Sequence, residues 1–202
     1  SDEYQLERAY GHSGVGFILE QKGELGEASK HYRTSLEVKQ LLAARKPGDA
    51  NAQAEVARAF NKVGVNLYNQ GDLRGSTEYL RREADIYRAL VALQPKQTDW
   101  KQRLAVCLAF LGRNADLTGD LQTALRLGQE ELQMASELGA LDSANVEWQH
   151  AVATAMMRLG WVEARRGEDA GLDLLRKARA KIEDVVRQAP ERRLYALDGA
   201  NI

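Results

Sequence analysis

Long apolar runs are missing from this chain, and no uninterrupted stretch approaches the roughly 18–20 residues that a membrane-spanning helix needs. Cysteine is almost absent as well. The single copy, Cys107, excludes an internal disulfide and fits a reducing, cytoplasmic setting. A basic excess is lacking: 28 Lys and Arg stand against 29 Asp and Glu, which disfavours nucleic acid as the main partner. Three prolines in 202 residues leave little to interrupt a helix. Strand alternation and hairpin signals are missing too. The first residue is Ser1 rather than Met, which is compatible with excision from a longer polypeptide, and no signal-peptide pattern follows it. What is present is 44% apolar and 28% charged residue, which is globular rather than disordered, with Ala, Leu, Glu, Arg and Gln favouring helix.

Glycine carries the organisation. Gly16, Gly64, Gly112 and Gly160 stand 48 residues apart, and Gly23, Gly71, Gly119 and Gly167 repeat that interval seven places later. Pro47 and Pro95, and Trp100 and Trp148, keep the same spacing. An internal repeat of 48 residues follows, with units at 1–48, 49–96, 97–144 and 145–192 in a single domain spanning 1–202. Residues 193–202 are expected to begin a fifth unit or to form a cap.

Within each unit, Lys22-Gly23-Glu24-Leu25, Gln70-Gly71-Asp72-Leu73 and Thr118-Gly119-Asp120-Leu121 read as helix stop, turn and helix start. The acidic residue after the glycine is suited to cap the next helix. Asp49 and Thr98 are the expected N-caps between units. Two helices of about 20 residues per unit then follow from apolar steps of three and four. One stripe is Ala57, Phe60, Val63 and Leu67, and another is Leu104, Leu108, Leu111 and Ala115. In the second helices, Val38, Ile86, Met134 and Ile182 share a register, as do Leu42, Leu90, Leu138 and Val186. Ala28, Ser76 and Ala124 are small enough to pack beside the first glycine set.

These residues resemble the tetratricopeptide repeat: Val63-Gly64, Gly71-Asp72-Leu73 and Ser76 match its order, as do Leu111-Gly112, Gly119-Asp120-Leu121 and Ala124. The usual unit of that family has about 34 residues. The additional residues amount to two heptads, one per helix, which lengthens each without moving its packing stripe far. The resemblance implies an all-α solenoid, a right-handed superhelical stack of four helix-turn-helix hairpins whose first helices line a concave groove. It also implies a scaffold that binds another protein or a peptide rather than an enzyme. Carried over by position, the groove residues are Phe17 and Glu20 in the first unit, and Arg58, Asn61, Tyr68 and Asn69 in the second. Arg113 and Asp116 follow in the third, with Met157, Trp161 and Arg165 in the fourth. Asn suits a ligand backbone, Arg a carboxylate, and the aromatics an anchor. The Lys/Asn/Arg clamp of the chaperone-binding subclass is missing, since its positions hold Ser13, Phe17, Val65, Val106 and Phe110. Units of this length also resemble repeats beside protease, kinase or ATPase domains of bacterial signalling proteins. The alternative is therefore a sensor or regulatory segment whose partner is an adjoining domain.

Catalytic patterns do not form. Gly11-His12-Ser13-Gly14-Val15-Gly16 sits within helical periodicity and has Val where a nucleophile elbow needs Gly. No cofactor or metal is expected, because His12, His31 and His150 never pair at helical spacing and no Cys/His cluster exists. His12 takes the register of Phe60, Leu108 and Met156 and is expected to be partly packed, and Cys107 to be a small buried apolar residue. Glu130-Glu131 reads as a solvated helix face. RNA binding through Arg58, Lys62, Arg113, Arg158, Arg165 and Arg166 is the remaining alternative, opposed by the acid balance.

Overall fold

Gly23, Gly71, Gly119 and Gly167 have φ between 80 and 82°, in the left-handed region that a side chain resists, so each closes a helix where the repeat demands. The computed structural model describes residues 1–190, and the expected start of a fifth unit at 193–202 lies outside the described residues. Eight helices follow one another among the described residues: α1 (Asp2–Gln21), α2 (Leu25–Ala44), α3 (Ala50–Asn69), α4 (Leu73–Leu93), α5 (Thr98–Leu117), α6 (Leu121–Leu141), α7 (Val146–Arg165) and α8 (Asp169–Gln188). No strand occurs among the described residues. The chain is all-α, a helical-repeat fold of four hairpins.

The turn acids behave according to side-chain length. Asp72 accepts from the Gly75 amide at 2.9 Å, and Asp120 from that of Thr123 at 3.0 Å. Glu24 and Glu168, one methylene longer, make no capping bond. Asp49 caps α3 through the amides of Asn51 and Ala52. Thr98 is the first residue of α5 rather than its cap, since that helix starts one residue early.

The chain divides into two compact units, Ser1–Trp100 and Lys101–Ile202, parted in the first turn of α5. In the first unit, α2 packs on both α1 and α3, and Tyr32, Leu36 and Ala43 share a core with Val56, Ala59, Phe60 and Val63. A Cβ at Gly16 would lie 2.8 Å from the Tyr32 ring, and one at Gly64 would lie 2.8 Å from Leu80. The expected neighbours Ala28 and Ser76 are fully buried, but the side chains crossing the glycines stand one turn further along. His12 Nδ1 and His31 Nδ1 are 3.0 Å apart, in the register that Phe60 and Tyr79 fill with tilted rings 6.0 Å apart in the next hairpin.

In the second unit α7 packs on both α6 and α8. The backbone carbonyl of Gly171 stands 3.0 Å from where a Gly160 Cβ would be, so α7 and α8 meet at two glycines. Cys107 is fully buried, as expected. The apolar stripe of the second helices needs correcting. Val38, Ile86 and Met134 are only half-buried, and Ile182 alone at that register is in the core. The buried arc passes instead through Ser35, Glu83 and Glu131, which are 1, 2 and 3% exposed. Glu131 is therefore not on a solvated face. A second helix such as α2 or α6 touches both its own first helix and the next hairpin, which widens the covered arc beyond the apolar stripe.

Candidate functional site

One register of the repeat explains much of the polar layout within the hairpins. Ser13, Asn61 and Ala109 occupy the same place in α1, α3 and α5, opposite Ser35, Glu83 and Glu131 of the second helices. Ser13 and Ser35 share a hydrogen bond of 2.8 Å, and Asn61 donates to Glu83 at 3.0 Å. Ala109 has nothing to donate. Glu131 is served from the next hairpin, where Arg158 Nε donates at 3.3 Å and Nη2 completes a two-pronged pair. Burial pushes the Glu131 carboxyl above its usual range, against the pull of Arg158.

The short side chain of Ala109 also leaves space. Two cavities of about 270 and 200 Å³ share Ala109, Arg113, Glu131 and Arg158 in their walls and so form one trough between α5 and α7. Val106, Phe110 and Trp148 line the larger part, and Asp116 and Trp161 the smaller. Val106 and Trp161 are 48 and 47% exposed, so apolar surface faces water beside guanidinium groups. Arg165 pairs with Asp116. Three guanidinium groups (Arg113, Arg158 and Arg165) thus stand beside the carboxylates of Glu131 and Asp116.

The first unit has a cavity of about 560 Å³ bordered by Leu6, Tyr10, Lys39, Ala52, Glu55 and Arg58. Glu55 accepts from Lys39 at 2.7 Å and is paired with Arg58 at 3.2 Å. Burial alone raises the Glu55 carboxyl, but Lys39, Arg58 and the Tyr10 hydroxyl outweigh it and hold the group below its ordinary range. Lys39 is 5% exposed, with its Nζ 4.6 Å from the Tyr10 ring centroid. Burial and Glu55 together push the Tyr10 phenol up. Arg58 Nε is buried without a hydrogen-bond partner.

The positions named from the sequence have several different surroundings, Arg58 lying at the cavity of the first unit. Glu20 accepts from the Tyr32 hydroxyl at 2.9 Å, and from Asn66 and Asn69 at 3.4 and 3.2 Å, joining the first hairpin to α3. Glu20, Asn61 and Asn69 therefore already hold partners within the fold. Phe17 is half-exposed, with Lys62 Nζ 5.7 Å from its ring centroid, and Tyr68 and Met157 are half-buried. Arg113, Asp116 and Trp161 gather on the trough, with Arg165 held beside it through Asp116. Lys39, Glu55, Glu83 and Glu131 were not anticipated. The available signal was a polar residue, Ser35, Glu83 or Glu131, recurring every 48 residues one turn before the apolar Val38, Ile86 and Met134.

No protein-family model matches the chain, and no curated protein matches it in sequence. Solved structures share its fold. The apo form of RapI matches 92% of this chain and 57% of its own, with TM-score 0.64 and 16% identity. The Rap conjugation gene regulator of plasmid pLS20, in complex with the Phr* peptide, matches 89% and 47%, with TM-score 0.57 and 18% identity. The de novo designed helical repeat protein DHR64 matches 95% and 100%, with TM-score 0.51 and 16% identity. The chain spans about half the length of the two Rap proteins it matches. The likeness at these identities concerns the fold, a tetratricopeptide-like helical repeat. No helix among the described residues is long and apolar enough to cross a membrane.

Proposed function

We propose that this protein is a peptide-recognition module, and that the trough between α5 and α7 receives an extended segment of a partner protein. The observation that carries the reading is the short side chain at Ala109, which turns a filled register into a cavity walled by Arg113 and Arg158 and flanked by half-exposed Trp161. An apolar side chain suits the Val106–Phe110 wall. One of the structural relatives was solved with a peptide bound, which supports the reading by analogy of fold. The role is binding rather than catalysis. Since the Rap relatives are about twice as long as this chain, a second reading makes the trough a regulatory segment whose ligand is an adjoining domain.

The test is a displayed library of linear peptides screened on the wild-type chain, followed by affinity measurement on Ala109→Phe and Trp161→Ala. Ala109→Phe fills the trough and is expected to weaken selected peptides at least about tenfold, as losing one buried anchor does, with unchanged circular dichroism. Selected peptides that bind Ala109→Phe as tightly as wild type refute the site. Capture of a flanking domain, lost in the same variant, supports the regulatory reading.

A further inference from the structure

Helix α1 departs from a rule that the other first helices keep. Residues 8, 11, 15 and 18 share register with 56, 59, 63 and 66 of α3 and with 152, 155, 159 and 162 of α7. In α3 these are Val56, Ala59, Val63 and Asn66, exposed by 5, 3, 0 and 0%. In α7 they are Val152, Ala155, Leu159 and Val162, none above 8%. On α1 the same strip lies open. Arg8 and Gly11 are exposed, Val15 and Ile18 are 43 and 57% exposed, and Tyr4 at its start is 67% exposed. Open space stands where a Gly11 Cβ would be.

What covers the strip on α3 and α7 is the second helix of the preceding hairpin. Tyr32, Leu36 and Ala43 of α2 pack in one core with Val56, Ala59 and Val63. In α6, Cβ atoms on Gly128 and Gly139 would stand 3.3 and 3.0 Å from Leu159 and Val152, so that contact is made at small residues. The C-terminal hairpin is finished differently. The places in α6 held by Gly128, Glu131, Ala135 and Gly139 become Arg176, Arg179, Glu183 and Arg187 in α8, all exposed. Arg176 pairs with Asp173 at 2.7 Å and Arg179 with Glu183 at 3.1 Å, along α8 itself. That surface is built for water, and stacking on it would desolvate four charges.

We propose that the Tyr4–Ile18 strip of α1 is a stacking face whose occupant is the second helix of a further hairpin of this 48-residue type, carried by the same polypeptide ahead of Ser1. Register with the covered strips of α3 and α7 sets the chemistry of the occupant: small and apolar residues at helical spacing. Size favours a tethered one. A 20-residue helix offers a strip about 30 Å by 10 Å, roughly 300 Å², whereas separate chains need about 800 Å² each for a stable complex. A hairpin in the same chain is held at high effective concentration and needs less. The charged face of α8 excludes a second copy stacked head to tail. Arg8 stands where α3 and α7 have Val; near the helix start, its stem can lie on the occupant while its guanidinium reaches water. The inference is independent of the peptide-recognition reading.

Two measurements test it. The reading frame ahead of Ser1 is expected to encode glycines 48 places before Gly16 and Gly23. A frame without that register overturns the proposal. In the second, a copy of residues 49–96 is appended directly before Ser1, which preserves the repeat length, and Val15→Cys reports coverage through thiol labelling in native buffer. Cys107, being fully buried, serves as the slow background. The appended hairpin is expected to slow labelling by about tenfold or more, as local protection does, and Ala84→Arg within the appended copy to restore it. Unchanged labelling overturns the proposal, whether the copy folds elsewhere or not at all. Concentration-dependent protection of the chain alone, with a dimer in sedimentation, assigns the face to a second copy and also overturns it.

Discussion

Gly112 and Gly160 hold one register in α5 and α7, yet a methyl group at the two sites meets different surroundings. At Gly112 the nearest atoms are Leu127 Cβ at 3.8 Å and the Ala124 carbonyl oxygen at 4.0 Å, which is ordinary contact. At Gly160 they are Leu175 Cγ at 2.9 Å and the Gly171 carbonyl oxygen at 3.0 Å. Leu175 is only 7% exposed and the Gly171 oxygen belongs to the backbone, so neither can swing aside. Both glycines lie inside helices without positive φ, so alanine brings the same propensity gain of about 1 kcal/mol at each. Gly112→Ala keeps that gain and stabilises. Gly160→Ala sets it against overpacking of about 1–3 kcal/mol and ends near neutral or destabilised by up to about 2 kcal/mol. The two variants should differ by about 1–3 kcal/mol, which for a chain of this length is roughly 2–12 °C in Tm. Urea titration followed by far-ultraviolet circular dichroism and tryptophan fluorescence reads the difference as a change in midpoint at constant slope. Equal stabilisation by both substitutions would refute the claim that Gly160 serves close approach of α7 to α8.

Two further outcomes follow from the buried charges. Arg158→Ala strands a carboxyl that is 3% exposed and should destabilise by about 3 kcal/mol in denaturant titration. Changing the pair together to Arg158→Met with Glu131→Leu should recover most of the loss. Because the Glu131 carboxyl is already raised by burial, the cost of Arg158→Ala should shrink as pH falls and that carboxyl takes a proton. A cost that does not vary with pH contradicts the assignment. Glu55 is held below its ordinary range, so the stability it contributes is present above its unfolded value of about 4.3 and is lost as pH falls through its lower folded value. Glu55→Gln should therefore destabilise at neutral pH and converge on wild type in acid. Parallel pH profiles contradict the Lys39–Glu55–Arg58 arrangement.

The sequence alone determined the 48-residue period, the eight helices and their lengths, and the four left-handed turns at Gly23, Gly71, Gly119 and Gly167. Those features are local, since glycine at a helix stop and apolar spacing along a helix need no knowledge of what lies across the interface. That Arg113 and Asp116 of α5 lie near Trp161 of α7 follows from register in the same way. Which polar groups are engaged was not legible. Glu20, Asn61 and Asn69 looked available, yet they bond across 12 to 49 residues of sequence to helices whose rotation no local pattern reports. The burial of Lys39, Glu83 and Glu131, and the trough at Ala109, likewise depend on how wide an arc of each helix its neighbours cover. A helix flanked on two sides buries side chains that its own apolar stripe would leave in water, and only the packed hairpins decide which ones.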